Sequence, residues 1–106
     1  MAHATGSMQN VTVKITPNDK GTPPGKLAEA EIHFTDGALA GLKLVGFAIW
    51  ERKNGVRAVT FPARQYAVNG ERRSFALLRP ANGELSAQEA VRDLILAAYS
   101  AVEAQA

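Results

Sequence analysis

Three features of this chain predict an α+β domain: an antiparallel sheet of about five strands with one C-terminal helix. The first is a pair of Asn-Gly steps, Asn54-Gly55 and Asn69-Gly70, set in a basic strand-forming stretch from Trp50 to Pro80. Asn-Gly suits a type I′ turn, which needs positive φ at both central residues, so each step should reverse a strand into a hairpin. The second is alternation from Leu27, with Ala28, Ala30, Ile32 and Phe34 on one face and Glu29, Glu31 and His33 on the other, the period of a half-buried strand. The third is helical spacing of Val91, Leu94, Ile95, Ala98, Tyr99 and Val102 near the end of the chain.

In chain order, Val11-Thr-Val-Lys-Ile-Thr16 alternates and is rich in β-branched residues, so it reads as the first strand. Residues 17–25 are rich in Pro, Gly, Asn and Asp and read as a loop. Asp36-Gly37 turns the alternating second strand into residues 42–50. Leu42, Leu44, Ala48 and Trp50 then share one face and Val45, Phe47 and Ile49 the other, which predicts a central strand covered on both sides. Gly46 in its middle marks a bulge or a close backbone approach. After Asn54-Gly55 a strand runs from Val56 to Phe61, and Pro62, which has no N–H for the ladder, stops it. Residues 62–66 read as an irregular segment carrying Arg64, and the second Asn-Gly leads into a strand from Arg73 to Leu78. Ser86-Ala-Gln-Glu89 has the form of a capping box at the start of the helix. One helix covers one face of a sheet, so the second apolar face of residues 42–50 predicts a second subunit.

A chain of 106 residues suits one domain. Residues 1–7, Met-Ala-His-Ala-Thr-Gly-Ser, are small and polar and precede a second methionine; they read as an appended leader, leaving 8–106 as the domain. Zero cysteines exclude disulfides, iron-sulfur clusters and thiolate metal sites. No apolar run approaches the roughly 20 residues of a membrane helix, so the cytoplasm is the expected compartment.

Catalytic signals are nearly absent. His33 is the one histidine outside the leader, and it lies on the wet face of a strand. No phosphate-binding glycine loop, nucleophile elbow or metal-ligand spacing occurs. The expectation is a non-enzyme with neither cofactor nor small-molecule substrate.

The formal net charge of +2 hides an asymmetry. Residues 43–79 hold Lys43, Arg52, Lys53, Arg57, Arg64, Arg72, Arg73 and Arg79 against Glu51 and Glu71, whereas residues 80–106 hold Arg92 against Glu84, Glu89, Asp93 and Glu103. Basic side chains near hairpin tips and strand ends suit contact with a polyanion. The same charges also fit an ordinary solvated surface or a module that meets an acidic partner, or its own acidic helix. Among the aromatics, Trp50 and Phe61 close apolar strands and read as core, while Tyr66, between Arg64 and the second Asn-Gly, is the ring expected to stay exposed and stack on a base.

Three strings, Gly41-Leu-Lys-Leu-Val-Gly-Phe-Ala-Ile-Trp50, Phe61-Pro-Ala-Arg64 and Asn69-Gly-Glu-Arg-Arg-Ser-Phe-Ala76, in this order and ahead of a terminal helix, resemble the stage V sporulation protein G (SpoVG) family. The resemblance runs from about Val11 to Tyr99. It implies a small homodimeric regulator that binds nucleic acid, with Arg64 matching the basic step after the proline and Arg73 the arginine of the return strand. The chain departs from the pattern in its proline-rich loop before Leu27, in Trp50-Glu51, in Leu77-Leu78-Arg79 and in its less basic helix end. The candidate nucleic-acid contacts are Arg52, Lys53, Arg57, Arg64, Tyr66, Arg72 and Arg73, with the basic side chains holding phosphates.

Overall fold

The computed structural model describes residues 10–105, and the expected leader lies outside the described residues. Strands β1 (Val11–Pro17), β2 (Lys26–Phe34), β3 (Lys43–Glu51) and β4 (Arg57–Thr60) form an antiparallel meander in the order β1-β2-β3-β4. Strands β5 (Ala63–Val68) and β6 (Glu71–Ala76) pair only with each other, and helix α1 (Leu85–Gln105) completes the chain. The α+β class is as expected. Among the described residues the strands number six, in two sheets, and residues 62–66 are not irregular: all but Pro62 belong to β5.

Register explains which side chains form the core. Val13 pairs with Ile32, Ile15 with Ala30, Ala30 with Phe47, and Ile49 with Val59, so these residues share one face of the four-stranded sheet. Helix α1 lays Ile95 and Tyr99 on that face, with Val91 and Leu96 beside them. Phe47, Ile49 and Ile95 are the largest fully buried side chains, and each stabilises the fold by about 1.5–3 kcal/mol through area removed from water. The predicted helical stripe is the stripe that packs.

The expectation that residues 42–50 have two covered apolar faces is corrected. Ile32 pairs with Leu44 and Ala30 with Phe47, so β3 carries one extra residue across a β-bulge at Val45 and Gly46. The extra residue shifts Leu44 onto the face of Phe47 and Ile49, leaving Lys43, Ala48 and Trp50 on the other. Trp50 accordingly leaves the core expected for it; its indole N–H donates to the Thr60 hydroxyl at 3.0 Å on the uncovered face. Phe61 does reach the core, edge-on to Phe47 with ring centroids 5.3 Å apart. His33 stands on the uncovered face, its Nε2 at 2.9 Å from a Glu31 carboxylate oxygen that also accepts from Lys43.

Gly46 is both things its position suggested. Its φ is +109°, and a Cβ placed there would stand 2.9 Å from the Cβ of Pro62. The missing side chain is what lets buried Pro62 cross the bulge as the chain leaves the sheet.

The helix begins two residues ahead of the start that a cap at Ser86 would set. Leu85 is its first residue, so Ser86 lies inside the first turn and cannot serve as the cap. Asn82 organises the entry instead: its Oδ1 accepts from the Glu84 N–H at 3.2 Å, and the Glu84 carbonyl accepts from the Ala87 N–H.

Candidate nucleic-acid interface

Pro62 ends the meander and redirects the chain, and the β5–β6 hairpin follows as a separate ribbon. The Leu77 N–H donates to the Pro62 carbonyl at 3.0 Å and closes the root. At the tip, Asn69 (φ +53°) and Gly70 (φ +81°) are both left-handed, giving the two-residue type I′ turn that Asn-Gly favours. From Ala63 to Phe75 every hairpin residue is exposed.

The two-residue turn sets Val68 opposite Glu71, and the ladder then sets Tyr66 opposite Arg73 and Arg64 opposite Phe75. Arg64, Tyr66, Val68, Glu71, Arg73 and Phe75 therefore share one face. Ala63, Gln65, Ala67, Arg72, Ser74 and Ala76 share the other. Tyr66 is 41% and Phe75 44% exposed, and Arg79 places its guanidinium carbon 4.2 Å from the centre of the Phe75 ring. Glu71, the one carboxylate of the hairpin, accepts from Arg73 at 3.3 Å.

Of the candidate contacts, Arg64, Tyr66 and Arg73 are brought together, while Arg72 lies on the reverse face. Arg52 and Lys53 belong to a different element, the exposed β3–β4 turn. That turn also reverses the chain, but not as a type I′ turn: Gly55 has positive φ and Asn54 does not, the Gly55 N–H donates to the Arg52 carbonyl, and the Asn54 side chain accepts from the Val56 N–H.

Arg57, also among the candidate contacts, is engaged within the fold. Its two terminal nitrogens donate to both oxygens of Glu103 at 2.6 and 2.7 Å, and its guanidinium lies 5.0 Å from the centre of the Tyr99 ring. The Arg57 hydrogen bonds hold the Glu103 carboxyl below its ordinary range. This arginine ties β4 to the last turn of α1, where a cation also complements the helix dipole.

Two residues join the face that the sequence reading did not select, Phe75 and Arg79. Counting register outward from Asn69-Gly70 places Phe75 across from Arg64 and finds the first; Arg79 lies beyond the ladder and had no such signal.

An apolar cleft of about 270 Å³ lies elsewhere, between α1 and the sheet, lined by Val11, Phe34, Leu44, Leu78 and Leu94 among others, with no charged side chain. Among the described residues no group of three or more His, Asp or Glu is placed to hold a metal ion, and no helix is long and apolar enough to cross a membrane. No known family model matches the chain, and no curated protein or solved structure does so.

Proposed function

We propose that this chain is a small, non-catalytic nucleic-acid-binding protein, regulatory in role and acting in the cytoplasm, that holds phosphates with the exposed arginines of the β5–β6 hairpin. The observation that carries the reading is the hairpin itself: a ribbon exposed on both faces, bearing Arg64, Arg72 and Arg73 against Glu71 alone. Arg79 at the root and Arg52 and Lys53 at the β3–β4 turn extend the positive field. Among the described residues no helix with a basic face is available to enter a major groove, so backbone contact is the expected mode. Two of the SpoVG-like strings, residues 61–64 and 69–76, fall on this hairpin and point the same way.

Titration of labelled DNA and RNA, single- and double-stranded, in rising salt tests the proposal. Each phosphate contact adds about 0.7–0.9 to the slope of log affinity against log salt. Arg64→Ala with Arg73→Ala should weaken binding to all sequences about equally and flatten that slope. No binding by the unmutated protein at low salt would remove the reading and leave a module for an acidic protein partner.

The proposal includes a homodimer. Phe47 and Ile49 are covered by α1, so the contact is assigned to Leu39, Leu42 and Val45, which are 51%, 60% and 50% exposed around the β2–β3 connection. Sedimentation at micromolar concentration should show twice the 11.3 kDa chain mass. An 11.3 kDa species alone would exclude it.

A further inference from the structure

We propose that the Arg64, Tyr66, Arg73 and Phe75 face of the β5–β6 hairpin binds single-stranded nucleic acid by stacking unpaired bases on its two rings. This rests on the reading of the hairpin as a nucleic-acid interface and adds what phosphate contact alone does not require: a preference for strands whose bases are free.

Cross-strand register carries the argument. Tyr66 opposes Arg73 and Phe75 opposes Arg64, so cation and ring alternate both along each strand and across the ladder. Tyr66 and Phe75 are diagonal neighbours, a separation of roughly 7–8 Å between backbone positions, within the reach of successive bases of an extended strand. An arginine flanks each ring across the ladder, ready to meet the phosphates of the strand whose bases stack. Arg79 over Phe75 presents a guanidinium plane on the same platform, and such planes also accept a stacked base.

Exposure supports the same occupant. Large aromatic side chains usually go to the core, as Phe47 and Phe61 do here. Tyr66 and Phe75 instead project from a ribbon that no other element among the described residues covers. A duplex offers those rings little, because its base planes are already stacked inside. A two-stranded ribbon does fit a major groove, but base edges there are read by hydrogen-bonding side chains. On this face Arg64, Arg73 and Glu71 could read an edge, but the rings of Tyr66 and Phe75, with Val68 beside the tip, would find no base plane to stack on in a duplex. Stacking is also indifferent to base identity, which agrees with a site that holds phosphates without reading sequence.

The test uses the unmutated full chain with a labelled oligothymidylate, a duplex of the same length, and an abasic strand that keeps the phosphates and lacks the bases. Anisotropy at fixed low salt should rank the base-bearing strand above both others. Tyr66→Ala and Phe75→Ala should each weaken binding to the base-bearing strand by roughly five- to a hundredfold, leave the abasic strand unaffected and leave the salt slope unchanged. Tyr66→Phe and Phe75→Tyr, which keep a ring, should bind like the unmutated protein. Circular dichroism checks folding; if an alanine variant unfolds, the ring-retaining variants and the abasic comparison still decide. Equal affinity for single strand, duplex and abasic strand, with a normal salt slope, overturns stacking and leaves the phosphate reading standing. No binding to any of the three at low salt overturns both.

Discussion

Gly46 shows how much of this fold rests on one missing side chain. Its backbone is left-handed and its absent Cβ leaves room for Pro62, so Gly46→Ala meets both a strained φ and a 2.9 Å clash with a buried ring. Neither is relieved by a rotamer change. The substitution should lower stability by about 1–3 kcal/mol, read as a lower urea midpoint with an unchanged slope; a midpoint equal to that of the parent would mean that the bulge is not formed. The Arg57–Glu103 pair gives a second residue-scale expectation, in pH. Glu103 is held below its ordinary 4.5 by hydrogen bonds from Arg57. A carboxylate lowered on folding contributes stability above its unfolded value, and that contribution is lost as pH falls through the lowered folded value. Glu103→Gln should therefore reduce the thermal midpoint at neutral pH and make no difference once the carboxyl is protonated. A gap that persists at acid pH would mean that the side chain acts through packing rather than charge.

Among the elements, the helix entry and the second hairpin are built by short-range bonds that single substitutions test. Ser86→Ala should leave the denaturation midpoint nearly unchanged, because Ser86 lies past the cap. Asn82→Ala should cost about 0.5–1.5 kcal/mol by removing the acceptor for the Glu84 N–H. The reverse ranking would restore Ser86 as the cap. The two Asn-Gly steps make a similar comparison. Only Asn69 has positive φ, so Asn69→Ala should disturb its turn more than Asn54→Ala does by the same route, visible as loss of the cross-strand nuclear Overhauser effects between β5 and β6. Core packing dominates over all of these. Phe47→Ala removes a ring buried between α1 and the sheet and should cost about 3–5 kcal/mol, a large part of the stability of a domain this small.

The whole molecule divides into a packed body and an arm. β1 to β4 and α1 share one core, whereas β5–β6 has its root on Pro62 and, among the described residues, no covering layer. Two-stranded hairpins are marginal in water by themselves, so the arm belongs to the low-stability end of the structure. Amide hydrogen exchange should be faster in β5 and β6 than in β2 and β3 for the free protein, and should slow in the arm when nucleic acid is added. Arm protection equal to that of β2 and β3 without ligand would mean that another surface, such as a second copy, already covers it.

The local periods of this chain are enough to predict β1 to β4, β6, its terminal helix and both chain reversals, though not β5, whose residues 63–66 read as irregular after Pro62. Alternation in residues 27–34, the apolar stripe of residues 91–102 and the left-handed preference of Asn-Gly act over a few residues and need no partner. The second ring of the candidate site was legible as well, since a two-residue turn dictates which side chains face each other. What required the tertiary structure was every assignment that depends on a long-range neighbour. The bulge at Gly46, where Pro62 crosses closely, moves Leu44 to the core face, so strict alternation through Gly46 put Leu44 in the wrong layer and left Trp50 with apolar company it does not have. Arg57 resembles its neighbours in sequence, yet Glu103, 46 residues away, neutralises it. Cross-strand register and a distant carboxylate, rather than residue type, decide which of these arginines share a face and which is tied to the helix.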